Sequence, residues 1–278
     1  MKAPKVYTIS PSELSYRCDH CAHLKHNYEL QNKGVSAGIT GELDSIQKKY
    51  FLGDCKKIDM NLPDGEVIDP DHKNESFFSK VLYDNKKRPF RLKGKGDALI
   101  AFKDKTSGII DYKTSKFKDK KGADYSIDLL KKIKEYTPQL HGYDLLYSNL
   151  ETDKKFLTEN DRGTKQGWKK ETIDRRVKEK LEKIEEIKVK KTALLGLVFV
   201  YPEDFSDDNK LNIHFSYQFK KVDFKPKKFL EELTNYFDSL HSNEVPPIPE
   251  KCKDTTNRTH CWMHNYFFDE KKLQRKNG

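Results

Sequence analysis

The sequence lacks any long apolar run and contains only five cysteines. Its longest apolar stretch, 193–201, is about nine residues, whereas a membrane-spanning helix needs roughly 20. The N-terminus does not show the charged segment followed by an apolar one that is typical of a signal peptide. We therefore expect a cytoplasmic protein with no membrane partner. In that compartment, five cysteines argue against a framework of disulfides.

The composition is instead rich in charged and aromatic residues. Among 278 residues, 54 Lys and Arg stand against 44 Asp and Glu, which gives a formal net charge of +10. The 16 Phe and 14 Tyr residues supply bulky side chains for a core. The positive excess favours a polyanion as partner, because lysine and arginine contacts to phosphates dominate nucleic-acid affinity. Charge alone does not decide this, since many basic soluble proteins bind no nucleic acid.

Periodicity and turn residues predict a mixture of helices and strands. A capping box at Ser10-Pro-Ser-Glu13 opens a helix that reaches Tyr28 with Cys18 and Cys21 on its buried stripe. Further helices are expected over 36–51, from Asp128 with a kink or restart at Pro138, and over 225–240. The apolar face of the second helix is expected to consist of Ile39, Leu43, Ile46 and Tyr50. Strands are expected over 97–102, 108–113, 194–201 and 211–219.

The segment 151–192 is dense in charges of both signs. A narrow apolar stripe within it predicts one long, mostly solvated helix, inserted into the domain and leaning on the core. The alternative interpretation is an arm that clamps nucleic acid or a partner.

Two aspartates and a lysine on the predicted hairpin are the candidate catalytic residues. If Asp97 lies opposite Lys113, then Asp97, Asp111 and Lys113 project from one face, and a slip of one residue turns Asp97 away. Carboxylates bind Mg²⁺ or Mn²⁺, and a lysine beside them offsets charge developing on a phosphate. Gly94 and Gly96 would let a phosphate backbone approach closely. The competing interpretation is an ordinary surface hairpin with an ion pair.

The motifs Gly94-x-x-Asp97, Asp111-Tyr-Lys113 and Gln139-Leu-His-Gly-Tyr143 follow one another along the chain. In order and approximate spacing they resemble the PD-(D/E)xK nuclease superfamily, and specifically its RecB-like branch. The likeness extends to the opening Ser10-Pro-Ser-Glu-Leu14 and covers nearly the whole chain. It implies one α/β domain over 1–278, with a three-layer restriction-endonuclease-like core whose central mixed sheet is flanked by helices.

The resemblance also implies roles for single residues. Asp97 and Asp111 would be metal ligands with the backbone carbonyl of Tyr112, and Lys113 would be the catalytic lysine. Gln139 and Tyr143, one helical turn apart, would position the strand near the scissile phosphate.

The family usually supplies a histidine ligand from a preceding helix, and none occurs here between His26 and His72. Asp44 is the expected replacement and Glu42 the alternative, while the competing interpretation of Asp44 is a solvated helix residue.

Four cysteines are paired by spacing, as Cys18-x2-Cys21 and Cys252-x8-Cys261. They resemble the cluster of several RecB-like nucleases, including the AddAB nuclease and the exonucleases of CRISPR adaptation. There, one N-terminal cysteine joins a C-terminal C-x2-C-x5-C around a [4Fe-4S] cluster. Here Thr255 takes the middle C-terminal place and the N-terminus has a second cysteine.

The sequence does not determine what these four cysteines bind. A [4Fe-4S] cluster is the leading expectation, zinc is the alternative occupant, and buried cysteines without metal are the third possibility. His20, His260 and His264 could complete a zinc site. In the first two cases the segment 245–278 would pack on the N-terminal helix. Cys55 has no expected role.

The leading hypothesis is a Mg²⁺- or Mn²⁺-dependent deoxyribonuclease, with exonuclease action on DNA ends or single strands implied by the resemblance. Whether a helicase or an integrase partner directs it stays open. Positive charge is expected to surround the site, from Lys86, Lys87, Arg88, Arg91, Lys93, Lys95, Lys116, Lys118, Lys120 and Lys121. The alternatives are a catalytically silent nucleic-acid-binding or scaffolding module of the same fold, and a zinc-stapled interaction domain.

Overall fold

The computed structural model describes residues 5–15, 18–28, 38–71, 75–114, 125–206 and 212–249. The helices in these ranges are α1 (Asp19–Tyr28), α2 (Gly38–Phe51), α3 (Tyr125–Ser148), α4 (Lys154–Asn160), α5 (Arg162–Lys165), α6 (Lys170–Ile187) and α7 (Pro226–His241). The strands are β1 (Tyr7–Ile9), β2 (Gly53–Asp54), β3 (Gly65–Ile68), β4 (Phe77–Phe78), β5 (Leu82–Tyr83), β6 (Pro89–Gly94), β7 (Ala98–Phe102), β8 (Ser107–Thr114), β9 (Thr192–Ser206) and β10 (Asn212–Val222). None of the helices in the described ranges is long and apolar enough to cross a membrane.

A six-stranded mixed sheet forms the centre of the molecule, in the order β10-β9-β8-β7-β3-β2. Strands β8 and β9 run parallel, and the other neighbours are antiparallel. Parallel neighbours need a long crossover, which is supplied here by the chain that contains α3 to α6. A smaller sheet is built around β6, with β1 parallel to it and β4 and β5 antiparallel.

Both faces of the central sheet are covered, which gives three layers. Since successive side chains of a strand point to opposite faces, neighbours along β8 enter different cores. Ile109 packs on the side of α3, α6 and α7, and Ile110 packs on the other side with Phe51 of α2. The structure therefore has the mixed α/β architecture, with helices on both sides of a mixed sheet, that the sequence predicts.

The predicted first helix is two separate elements. The capping box is confirmed: Ser10 Oγ accepts from the backbone N–H of Ser12 at 3.3 Å, and Glu13 Oε1 accepts from that of Ser10 at 3.1 Å. It starts a short 3-10 helix, Pro11–Leu14, however, and α1 begins only at Asp19. The single helix is wrong because Pro11 and Leu14 turn into the core, where both lie against Gly142 of α3.

The predicted apolar face of α2 is wrong at Ile46 and Tyr50; Leu43 is partly buried, and the side chain of Ile39 lies outside the described part of the chain. Ile46 is 61% exposed and Tyr50 is 57% exposed, whereas Gln47 and Phe51 are buried. Phe51 stacks on Tyr112 of β8 with ring centroids 5.3 Å apart, and this contact fixes the rotation of the helix. The helix is turned by about one residue, or about 100°, from the orientation that its own apolar pattern favours.

The charged segment 151–192 contains three helices and not one. Asp153 and Asp161 accept hydrogen bonds from the backbone N–H groups that begin α4 and α5, so each starts a new helix. The apolar stripe of α6 is buried in the main core through Ile173, Val177, Ile184 and Ile187. The expectation of one helix is therefore wrong, whereas the predicted apolar stripe that leans on the core is confirmed.

The other predicted elements are confirmed, with longer bounds for β8, β9 and β10 and bounds within one residue for β7 and α7. The hairpin and the later strand pair correspond to β7–β8 and β9–β10, and the last helix corresponds to α7. Helix α3 begins at Tyr125, three residues before the predicted start, and runs continuously through Pro138.

Candidate active site

The β7–β8 hairpin brings its three predicted residues to one end of the central sheet. Ala98 pairs with Ile110, and continuing that register by one residue places Asp97 opposite Asp111. The expected pairing of Asp97 with Lys113 is thus wrong by two residues. A shift of two preserves the side-chain alternation, so the predicted sharing of one face holds. Asp97 is anchored here because its Oδ2 accepts from the backbone N–H of Tyr112 at 2.9 Å.

Asp111 is the buried centre of this cluster, with 2% of its surface exposed. Its Oδ1 accepts from Nε2 of Gln139 at 2.9 Å, and its Oδ2 lies 2.6 Å from Nζ of Lys113. Burial, and after it the nearby charge of Asp97, raises the pKa of Asp111 far above its usual value, although Lys113 opposes the shift. A buried carboxyl group perturbed by a second carboxylate is more typical of functional sites than of surface ion pairs.

Helix α3 holds the other side of the cluster. Gln139 Oε1 accepts from Oγ of Ser15 at 2.7 Å and from Nζ of Lys113 at 3.3 Å. Tyr143 lies one turn further along α3 and is buried, and its pKa is raised by burial first and then by the charges of Asp111 and Asp97. The amide of Gln139 therefore joins three of the predicted residues in one network.

Ser15 and Tyr136 belong to the cluster but are not predicted from the sequence. Nζ of Lys113 lies 4.2 Å from the ring centroid of Tyr136, in cation–π geometry. Tyr136 precedes Gln139 by three residues on α3, and that helical spacing was a usable signal. Ser15 has no such signal, because it reaches the site only through the packing of the 3-10 helix against α3.

Asp44 reaches the cluster only through a lysine. Nζ of Lys48 lies 2.8 Å from Oδ2 of Asp44 and 3.3 Å from Oδ1 of Asp97. Burial alone would lower the pKa of Lys48, but the charges of Asp97 and Asp44 outweigh it and raise that pKa. Glu42, the alternative to Asp44, is exposed. The four-residue spacing of Asp44 and Lys48 on one helix was the signal for this missed residue.

The residues present fit a divalent cation at the Asp97–Asp111 pair. Two carboxylates and the carbonyl of Tyr112 are the hard oxygen donors that Mg²⁺ and Mn²⁺ take. Besides its ion pair with Nζ of Lys113 at 2.6 Å, buried Oδ2 of Asp111 has no hydrogen-bond partner among the described residues. A carboxylate oxygen has a second lone pair, which is available for a ligand contact. Within those residues no three His, Cys, Asp or Glu side chains are arranged to hold a metal, and Asp44 stands apart on Lys48.

The two glycines before Asp97 have packing roles, and the expected opening for a phosphate backbone is wrong. A Cβ atom at Gly94 would lie 2.9 Å from Cδ of Pro11, and one at Gly96 would lie 3.1 Å from the hydroxyl of Tyr147. Both glycines are buried, and the N–H of Gly96 donates to that hydroxyl at 2.8 Å.

Six of the ten residues of the predicted basic rim are described by the structure, and most of these six are in ion pairs. Four of its members before the first motif have carboxylate partners: Lys86 and Arg88 with Asp238, Arg91 with Glu151, and Lys95 with Asp71. Lys93 has no carboxylate partner among the described residues. Lys116, Lys118, Lys120 and Lys121 lie outside the described residues.

Half of the predicted cysteine site can be located. Cys18 is buried beside the start of α1, and Cys21 is partly buried on that helix. Cys252, Thr255, His260, Cys261 and His264 lie outside the described residues. His20 on α1 is hydrogen-bonded through Nδ1 to the carbonyl of Pro246 at 2.7 Å, so the start of the 245–278 segment lies against the N-terminal helix. The occupant of the site stays a prediction.

Comparisons with known proteins supply no family. No family model and no curated protein matches the chain. A solved structure described as "Crystal structure of SSO0001" aligns over 88% of this chain and 82% of that chain, with a TM-score of 0.41 and 13% sequence identity.

Proposed function

We propose that this protein is a metal-dependent DNA nuclease of the PD-(D/E)xK type that hydrolyses phosphodiester bonds. One observation carries the proposal: buried Asp111 contacts both Lys113 and Gln139 and lies beside Asp97, at the end of the central hairpin. Burying a carboxylate beside another is unfavourable for stability, and it is explained if the pair serves to hold a divalent cation.

Each side chain has a distinct task in this proposal. Asp97, Asp111 and the carbonyl of Tyr112 would hold Mg²⁺ or Mn²⁺, which supplies Lewis acidity at a phosphoryl oxygen. The ammonium of Lys113 would offset the negative charge that develops on the phosphate during hydrolysis. Gln139 would fix the orientation of both Asp111 and Lys113, and Tyr143 would close the buried side of the site.

The finer features of the proposal rest on the sequence motifs. They are exonuclease action on DNA ends or single strands, direction by a helicase or integrase partner, and a four-cysteine site with a [4Fe-4S] cluster or zinc. The N-terminal half of that site, Cys18 and Cys21, lies close to the beginning of the C-terminal segment, which is what a shared site would require.

A cleavage assay tests the function. Anaerobically purified protein is incubated with end-labelled single- and double-stranded DNA in Mg²⁺, Mn²⁺ or EDTA, beside Asp111→Ala. The matched control is Asp104→Ala, since Asp104 lies in the exposed turn of the same hairpin. We expect metal-dependent cutting by the wild type and the control, and none by Asp111→Ala. Equal cutting by Asp111→Ala would refute the assignment of the site.

A second candidate function is the catalytically silent DNA-binding module. The observation in its favour is Lys48, whose ammonium already lies between the carboxylates of Asp44 and Asp97. Tight DNA binding with no cutting in either metal would support this alternative.

A further inference from the structure

An exposed surface of one isoleucine and three aromatic side chains lies on the α2 side of the central sheet. Asp111 and Lys113 of the candidate active site face α3 on the other side. Ile46 and Tyr50 lie one turn apart on α2, and Phe215 and Tyr217 lie two residues apart on β10, so each pair shares a face. Their exposed fractions are 61%, 57%, 41% and 39%. These four residues are called the aromatic surface below.

The aromatic surface lines a small pocket and is not a scatter of single residues. The pocket has a volume of about 240 Å³, and Gln47 and Phe51 also line it. The Tyr50 and Tyr217 rings are 6.3 Å apart at an angle of 62°, and Phe51 meets Tyr217 edge-on at 4.9 Å. Single exposed apolar residues need no explanation, but a contiguous concave patch indicates a binding site. Its volume is below the roughly 300–1,000 Å³ of drug-sized ligand sites, which favours one planar ring system.

The pocket is connected to the candidate active site by one hydrogen bond. Nε2 of Gln47 donates to Oγ1 of Thr114 at 3.1 Å, and Thr114 follows Lys113 directly on β8. The next residue of α2, Lys48, contacts Asp97. Adjacent positions on a helix are separated by about 100°, so α2 presents one side to the pocket and the neighbouring side to the carboxylates.

A cation close to the pocket would also suit a nucleic-acid strand. Lys49 is exposed on α2, where it follows Lys48 and precedes Tyr50, and it has no carboxylate partner among the described residues. It lines a neighbouring groove together with Asp44 and Lys48. A strand whose phosphate lies at Asp97 and Asp111 would then have a cation for the next phosphate and an aromatic pocket for a base. Proteins that bind single strands combine these two elements, because every base has a face that can stack.

We propose that the aromatic surface is a stacking site for one base of single-stranded DNA, next to the phosphate held at the active site. This inference rests on the proposed function for its substrate. It adds that the substrate strand is unpaired at this position, since a base within a duplex is not free to enter a pocket of this kind.

Equilibrium binding tests the stacking site separately from catalysis. The affinity of fluorescently labelled single-stranded DNA is measured by anisotropy in EDTA at one fixed salt concentration, because affinity for DNA depends on salt. We expect Tyr50→Leu to weaken binding roughly 5- to 150-fold, the range for loss of one stacked base. Tyr50→Phe keeps the ring and should bind like the wild type. Tyr83→Leu is the matched control, since Tyr83 is 63% exposed on β5.

Oligonucleotides with a single abasic position identify the stacked base. At one position, removing the base should weaken binding to the wild type but not weaken binding to Tyr50→Leu any further. Such non-additivity shows that the ring and the base contact each other. Additive effects at every position would overturn the proposal, as would unchanged binding in Tyr50→Leu or no binding by the wild type.

The possible failures can be told apart. If Tyr50→Leu and one abasic position have non-additive effects on binding but no metal supports cleavage, the stacking site stands and the nuclease proposal fails. If the wild type cuts DNA but the effects of Tyr50→Leu and of every abasic position are additive, the nuclease proposal stands and the stacking site fails. If Tyr50→Leu changes only the oligomeric state seen by size-exclusion chromatography, the surface binds a second copy of the chain and the stacking proposal is wrong.

Discussion

The side-chain amide of Gln139 donates to Oδ1 of Asp111 at 2.9 Å, and the two residues are 28 positions apart in the sequence. Because the oxygen of the same amide accepts from Lys113 and Ser15, one side chain connects α3, the central hairpin and the N-terminal 3-10 helix.

Asp111→Asn is expected to make the metal-free protein more stable at about pH 8 than the wild type. Burial raises the pKa of Asp111 to about 8 in the folded state. Between the ordinary pKa of an aspartate and this raised pKa, the folded state binds more protons than the unfolded state, so the stability of the wild type falls as pH rises. Asparagine has no charge to bury. Thermal unfolding in EDTA should show a gain of about 2–4 °C. The gain should shrink toward pH 5, and a gain independent of pH would contradict the assigned cause.

Lys113→Met is expected to lower cleavage without weakening metal binding, since the lost ammonium lies 2.6 Å from Oδ2 of Asp111, where its charge opposes a cation. The methionine keeps the length of the side chain but cannot offset charge on the phosphate, so we expect a loss of roughly 10²–10³-fold in the cleavage rate. Single-turnover cleavage and Mn²⁺ titration measure the two properties separately. Lys103→Met is the control from the same hairpin, because Lys103 is exposed and its ion-pair partner in the described part of the chain is Asp64. Parallel loss of both properties would indicate a structural role for Lys113.

Gln139→Leu is expected to lower kcat more than Ser15→Ala does. Gln139→Leu removes the contacts to Asp111 and Lys113 and should lower kcat strongly. Ser15 is a positioning residue that acts only through Gln139, so Ser15→Ala should cost about 0.5–1.5 kcal/mol of stability and lower kcat less. Urea unfolding and steady-state cleavage compare the two variants. A wild-type kcat in Ser15→Ala would show that Ser15 does not orient Gln139 for catalysis, and a kcat as low as that of Gln139→Leu would show that Ser15 does more than position Gln139.

Lys48→Met is expected to tighten the binding of Mn²⁺. The ammonium of Lys48 lies 3.3 Å from Asp97 Oδ1, where its charge opposes a second cation. Removing it should raise the affinity about fivefold or more, as measured by calorimetry. Lys49→Met, one residue further along α2, is the matched control. Weaker binding in Lys48→Met would show instead that Lys48 holds Asp44 and Asp97 in their productive positions.

Cys18→Ala and Cys55→Ala are expected to differ in bound metal. Both cysteines are buried, but Cys55 donates through Sγ to the carbonyl of Pro63 and belongs to no pair in the sequence. Anaerobically purified Cys55→Ala should keep the iron and sulfide, or the zinc, of the wild type, and Cys18→Ala should lose it. Metal analysis and visible absorption decide between the two occupants. Equal content in both variants would exclude Cys18 as a ligand.

Much of the candidate site could be predicted from local sequence. Asp97, Asp111 and Lys113 share a face because strand alternation has a period of two, and this survives the two-residue error in register. Gln139 and Tyr143 share a face because they are four residues apart on one helix. Lys48 stands four residues after Asp44, and the same rule would have found it.

The errors in α2 and in the segment 151–192 arose because each segment was interpreted by its own residues alone. The face of α2 was predicted from its own apolar residues, but the contact of Phe51 with Tyr112 and that of Lys48 with Asp97 decide its rotation. The charged segment was predicted as one helix because one apolar stripe is visible in it, whereas the side chains of Asp153 and Asp161 cap two further helices before α6.

By itself, the sequence determined the α/β class, the β7–β8 hairpin, the β9–β10 strand pair, and the motif residues that share a face. Those features depend on spacing along the chain, which repeats with the period of a helix or a strand. Only the tertiary structure decided that Ser15 reaches Gln139, that Lys48 lies between Asp44 and Asp97, and that Tyr50 stays exposed beside Tyr217. Those contacts join residues that are distant in the sequence, and they depend on how separate elements pack, which no local pattern specifies.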